Sequence, residues 1–244
     1  MNKPGGRVQE KLSIEEPVAH LRHIPIEDNG ESLVSWHGHP RIFQDRPRFN
    51  YRRETIARQS VVEFLWRAAD ALPPGYKLAI VEGWRPPYIQ RRMFAWSFKR
   101  FKEKFPDWSD TRLKRLASQF TAPMDSRVPP PHTTGGAVDM MLADENQVVL
   151  DHTSPYQPRD HHAFLFDAKD LSDEARRHRD ILAEALSTGG MTNYPSEYWH
   201  WSYGDQGWAY RGREPRAIYS AITPTDWQPA EADDTDEPLT YLIE

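Results

Sequence analysis

Two neighbouring segments carry their apolar side chains in different patterns, one at helical spacing and one as a short continuous run, and Pro73-Pro74-Gly75 separates them. Over residues 54–72, Ile56, Val61, Phe64, Leu65, Ala68 and Leu72 recur at helical spacing, which predicts a helix ended by the Pro-Pro-Gly run. Lys77–Glu82 (KLAIVE) is short, β-leaning and bounded by Gly75 and Gly83, which predicts a buried strand. Two further helices, over 88–104 and 109–121 with Ser109 capping the second, precede the next strand at 137–142. Helices and strands in this order do not alternate as a doubly wound sheet requires. The expected fold class is therefore α+β, a mainly antiparallel sheet with helices packed on it.

The later chain supplies the remaining elements. Residues 146–150 are expected to pair with the 137–142 strand through an Asp144-Glu145-Asn146 turn. A polar loop rich in His, Asp and Pro follows over 151–170, long enough to suggest a function. Asp173–Ser187 reads as a helix with Ile181, Leu182, Ala185 and Leu186 on its apolar stripe, stopped by Gly189-Gly190. Residues 198–203 (YWHWSY) have strand composition, and their aromatic rings are more often core than a ligand platform. At 244 residues and 38 % hydrophobic content the chain can bury one full core. The expected organisation is a flexible arm over 1–17, one domain over 18–224 and an acidic tail over 225–244. That tail carries Glu231, Asp233, Asp234, Asp236 and Glu237 without a basic residue, so it is expected to be disordered or loosely docked.

Composition narrows the function. A net charge of -5 argues against a general nucleic-acid binder, and Arg91-Arg92 and Lys99-Arg100 read as solvated helix faces. There is no cysteine, so disulfides, thiolate metal sites and cysteine nucleophiles are excluded, and a catalytic metal must use His, Asp or Glu. No window approaches the about 18 apolar residues of a membrane span, and the first residues lack an apolar signal core. A cytoplasmic location is the default expectation. Oligomeric state is left open.

The chemistry concentrates in PPPHTTGGAVDMML, residues 129–142. His132 on a loop and Asp139 on a strand can converge if the chain turns sharply between them, and Gly135-Gly136 allow that turn. Converging N and O ligands indicate a metal, and SEYWHW, residues 196–201, offers the third ligand in His200. In a regular strand Glu197 and His200 would face opposite sides. Both face one site only if the chain bends near Glu197, which Pro195 favours, and Glu197 would then stand beside the metal as a base. His132 alone would more often be structural; the constellation makes it a ligand. His37-Gly38-His39 is a weaker candidate pair without a matching carboxylate, and His161-His162 read as braces of the long loop.

The pattern His132-x-x-Gly135-x-Ala137-x-Asp139, then Glu197-x-Trp199-His200, with Glu82-Gly83-Trp84-Arg85-Pro86 upstream, resembles the D-alanyl-D-alanine dipeptidases of the VanX type and their carboxypeptidase relatives. The resemblance spans about residues 50–220. It implies Zn²⁺ held by His132, Asp139 and His200, with Glu197 as general base and Arg85 donating to the developing oxyanion. It also implies a small peptide substrate, D-alanyl-D-alanine, in cell-wall metabolism. For Arg85 the plainer reading is a salt bridge to Glu82 or a helix carboxylate.

Two positions depart from the family. Pro130 stands where a serine is usual, and Tyr156-Gln157 matches the aromatic-acidic pair that holds the substrate's ammonium group, so the acid is replaced by a neutral amide; Asp151 or Asp160 could compensate. Other readings are a D,D-carboxypeptidase on longer stem peptides, a non-catalytic wall-peptide binding module and a non-haem iron oxygenase. The module would have lost Glu197 or a ligand, and the oxygenase separates its first His and Asp by one residue.

Overall fold

The computed structural model describes residues 18–125, 127–153, 164–169, 171–230 and 237–242. In chain order the elements are α1 Val18–Leu21, β1 Leu33–Ser35, β2 Ile42–Gln44, β3 Ile56–Arg58, α2 Gln59–Ala71, β4 Lys77–Glu82, α3 Pro87–Lys104 and α4 Asp110–Ala117. A 3-10 turn at Pro131–Thr134 leads to β5 Ala137–Ala143, α5 Asp173–Ser187, β6 Thr192–Asn193, β7 His200–Ser202 and α6 Gln206–Gly212. Five strands form one sheet in the order β2-β4-β5-β7-β6, antiparallel except for β2 beside β4, and β1 pairs with β3 separately. The class is α+β with a mainly antiparallel sheet, as the element order predicts.

The core decides which side chains reach the functional face. Along β5, Val138, Met140 and Leu142 enter the main core with Leu65 of α2 and Leu182 and Leu186 of α5. Alternation then turns Asp139 to the opposite face. Burying each of those three apolar side chains is worth about 1.5–3 kcal/mol, so a one-residue slip, which would exchange them for Asp139, is strongly disfavoured. In β7, Trp201 fills the same core, and His200 pairs directly with Asp139.

A β-bulge completes the row. Leu78 and Ile80 of β4 are core residues, and strict alternation would send Glu82 inward with them. The register instead passes from Ile80 opposite Met140 to Glu82 opposite Asp139, leaving Val81 as the extra residue. That insertion re-aims the end of the strand. Glu82, Asp139 and His200 consequently lie side by side across β4, β5 and β7.

Several boundaries differ from expectation. The segment 54–72 is not one helix: Ile56–Arg58 pairs with Leu33–Ser35, and helix begins at Gln59 because Arg58 is extended (φ -57, ψ 146). The aromatic strand shrinks to His200–Ser202, since Tyr198 and Trp199 belong to the turn that precedes it. Residues 146–150 return beside β5 through one bridge, Ala143 with Val149, rather than as a strand. Arg92 is not on a solvated face; it is buried and donates to the carbonyl of Glu237 at 2.7 Å. The expected arm, residues 1–17, lies outside the described residues, as does the acidic run 231–236. The flanks of that run are docked: Trp227 donates to Glu54, and Leu239 packs with Ile89 and Met93 in a second small core. Among the described residues no helix is long and apolar enough to cross a membrane.

Helix α5 clamps both described ends of the long 151–170 loop. Arg179 donates to the carbonyls of His152 (2.6 Å) and Phe166 (3.2 Å), and His178 donates to that of Asp151 (2.7 Å). His152 is buried and neutral by construction: its Nε2 accepts the Leu142 amide at 3.1 Å while Nδ1 donates to Leu150 at 2.8 Å. Burial holds its pKa down at about 4, against 6.5 for an unperturbed imidazole. The unfolded chain therefore binds this proton first as pH falls. The stability contribution is complete above pH 6.5 and is lost between 6.5 and about 4, a difference of about 3 kcal/mol. In metal-free protein, urea unfolding of His152→Gln should show a flatter stability profile than the parent over that window. Parallel profiles would show that His152 does not titrate as described.

Candidate active site

His132 is presented by the 3-10 turn and Asp139 by β5, and the geometry between them depends on both glycines. Gly135 adopts φ +73, a left-handed conformation that other residues rarely tolerate, and a Cβ on Gly136 would lie 2.5 Å from the Tyr203 carbonyl. The end of β4 and this turn are laced together. His132 Nδ1 donates to the Gly83 carbonyl at 2.9 Å, and the Arg85 amide donates to the His132 carbonyl at 3.0 Å. Buried Arg58 supports the turn from behind through the Thr134 carbonyl at 2.8 Å.

With Nδ1 engaged, His132 turns Nε2 toward Asp139 Oδ1, 3.2 Å away. His200 Nδ1 lies 2.9 Å from the same oxygen, and the ligand atoms of the three residues all fall within 4.8 Å of one another. All three residues are buried, at 6–7 % exposure. Donors bound at about 2.0–2.1 Å to a tetrahedral ion stand about 3.3 Å apart, so this spacing fits a metal with little adjustment. The N, N, O donor set of three protein ligands also leaves one position open, as catalytic sites do. Among the described residues it is the only such group of three. His39, by contrast, pairs with Asp70 at 3.1 Å.

Glu197 reaches the same site because the chain bends where Pro195 suggests. The Glu197 amide bonds the Tyr194 carbonyl and the His200 amide bonds the Glu197 carbonyl, so a turn replaces the strand expected there. Asn193, unanticipated from sequence, pins this turn with its amide on the carbonyls of Glu197 and His200, both at 3.0 Å. Glu197 Oε2 then lies 3.9 Å from His200 Nδ1, with the side chain one-third exposed.

Arg85 is buried beside Glu82, with Nη2 3.4 Å from Oε2, and it donates to Gln90 Oε1 at 2.7 Å. The salt bridge to Glu82 is thus present. It does not exhaust the guanidinium, whose buried Nε has no hydrogen-bond partner. An unpaired buried donor is costly and calls for a ligand. Tyr51, which no motif marks, donates its hydroxyl to Glu82 and completes the chain Tyr51, Glu82, Arg85.

The electrostatics follow from crowding charges in a dry site. Burial raises the pKa of Asp139, but His132 and His200 override it and hold the carboxyl well below its usual range. Burial lowers that of His200, and the hydrogen bond that its Nδ1 donates to the Asp139 carboxylate, with that carboxylate's charge, reverses the sign, so it is raised. Glu197 is raised by burial and by Asp139, against His200, Arg48 and Arg85. Tyr156 and Gln157, with His161 and His162, lie outside the described residues.

Two histidines, two carboxylates and an arginine thus converge on one site whose donor set could hold a metal ion, and comparison with known proteins specifies the class. The family described as D-ala-D-ala dipeptidase matches residues 43–218, a span that holds every residue of the site. The D-alanyl-D-alanine dipeptidase of Synechocystis sp. (strain ATCC 27184 / PCC 6803 / Kazusa) is 25 % identical over 236 residues, covering 84 % of this chain and 95 % of that protein. The chain belongs to this peptidase family.

Proposed function

We propose that the chain is a zinc-dependent dipeptidase that hydrolyses D,D-dipeptides such as D-alanyl-D-alanine in the cytoplasm, as part of cell-wall peptide metabolism. The observation that carries this reading is the buried His132, Asp139, His200 cluster with Glu197 at its edge, in a chain of this family. Zn²⁺ held by the three residues would polarise the scissile carbonyl and make water at the open position acidic near neutral pH. Glu197 takes the proton of the attacking water and delivers it to the leaving amine. Its raised pKa, from burial first, suits an acceptor that must then act as a donor. Arg85 offers its unpaired Nε to the carbonyl oxygen as negative charge grows there, while Glu82 and Gln90 fix the guanidinium.

Tyr156 and Gln157 are proposed to meet the free ammonium group. A neutral amide at position 157 favours a second reading, D,D-carboxypeptidase action on longer peptides. A panel of D-Ala-D-Ala, N-acetyl-D-Ala-D-Ala and L-Ala-L-Ala separates them. We expect cleavage of both D,D-substrates and not of the L,L-dipeptide, and Gln157→Asp should raise kcat/KM for the free dipeptide by about ten-fold or more without helping the acetylated one. Equal cleavage of L-Ala-L-Ala would overturn the D,D assignment. Strong preference for the free amine in the parent protein would overturn the role of Gln157.

A further inference from the structure

Three arginines border the site from the segment before α2 and the end of β4, and two are engaged. Arg53 donates to the carbonyls of Val81 and Asp45, and Arg85 is held by Glu82 and Gln90. Arg48 differs. Its guanidinium lies over the Trp199 ring, 5.0 Å from the centroid, and has no carboxylate partner among the described residues. Trp199 is fixed by Phe164 and Tyr198, edge-on at 4.9 and 4.8 Å, and stands between Glu197 and His200 in the chain. The half-buried Arg48 charge is felt at Glu197 and Tyr198.

The backbone carrying Arg48 is held by the C-terminal segment. Leu242 donates to the Arg48 carbonyl at 2.9 Å, Phe49 bridges antiparallel to Tyr241, and Asn50 donates to Thr240 at 3.0 Å. Thr240 in turn donates to Asn50 Oδ1 at 2.7 Å. These contacts, with those of Tyr51 and Arg53 in the same segment, present the arginine in one place, and ordering it in advance reduces the cost of binding.

The chemistry of the leaving group says what such a cation meets. On the proposed function, on which this inference rests, Glu197 protonates the amine of the departing residue. In a dipeptide that nitrogen and the free carboxylate share one α-carbon, so an anion must lie a few ångströms from Glu197. We propose that Arg48 receives the C-terminal carboxylate of the substrate and so makes the site specific for cleavage of the last peptide bond. The Trp199 ring beneath it excludes water from one side and strengthens the pairing.

The test compares D-Ala-D-Ala with its C-terminal amide, D-alanyl-D-alaninamide, on zinc-loaded parent, Arg48→Gln and Arg48→Lys proteins. The parent should prefer the acid. Arg48→Gln should lower kcat/KM for the acid by about ten-fold or more, mainly through KM, and lower that for the amide several-fold less, so that the acid preference collapses while retained cleavage of the amide shows that the variant folds. Arg48→Lys should recover part of the loss on the acid. Equal losses on both substrates would assign Arg48 to Glu197 or to the fold, and an undiminished acid preference in Arg48→Gln would remove it from recognition; either overturns the proposal alone. Failure of the parent protein to cleave either substrate would instead overturn the dipeptidase reading, and this inference with it.

Discussion

Glu197→Ala should keep its zinc and lose about three orders of magnitude in kcat, within the range that a positioned acid-base group supplies. The separation of the two effects follows from geometry. The clustered ligand atoms come from His132, Asp139 and His200, and Glu197 stands 3.9 Å from His200 Nδ1 at the rim. No neighbour can take over the proton: Asp139 belongs to the ligand cluster itself, and Glu82 is bound by Tyr51 and Arg85. Metal analysis and initial rates on one preparation check the prediction. Loss of zinc, or a near-normal rate, would mean that ligand and base have been interchanged.

His132→Ala, Asp139→Ala and His200→Ala should each abolish stoichiometric zinc binding together with activity. Removing any one of three protein ligands leaves a two-donor site in a pocket that solvent hardly enters. Asp139→Ala should be the most severe, because its Oδ1 is the common partner of both imidazoles and its charge keeps them converged. Its removal also deletes the one anion of the ligand set. Unfolding midpoints of the metal-free variants would report whether the fold persists, and full zinc occupancy in all three would refute the ligand assignment.

The sequence made legible those parts where local pattern and tertiary structure agree. β4 has the bounds that its short apolar run between glycines predicts, α5 those that its apolar stripe and the Gly189-Gly190 stop predict, and Ser109 caps α4 as expected. The three-residue strands β1, β2 and β3 are too short to show a period, so β3 falls inside the segment whose spacing predicts a helix. At the site, the ligands could be read because glycines and a proline announce the two turns that bring them together. The bulge at Val81 has no local signature, since it arises from pairing between distant strands, and without it Glu82 reads as an inward core position. Tyr51, Asn193 and Arg48 belong to no motif; each acts through contacts with residues far away or across a turn.

The most direct measurement is a zinc titration of metal-free protein with D-alanyl-D-alanine present and D-alanine release followed throughout. The chelated protein should be silent, and release should rise with added zinc and level off at one equivalent per chain. Undiminished release from the chelated protein, or one bound zinc per chain with no D-alanine formed, would contradict the assignment of a single-metal D,D-dipeptidase site.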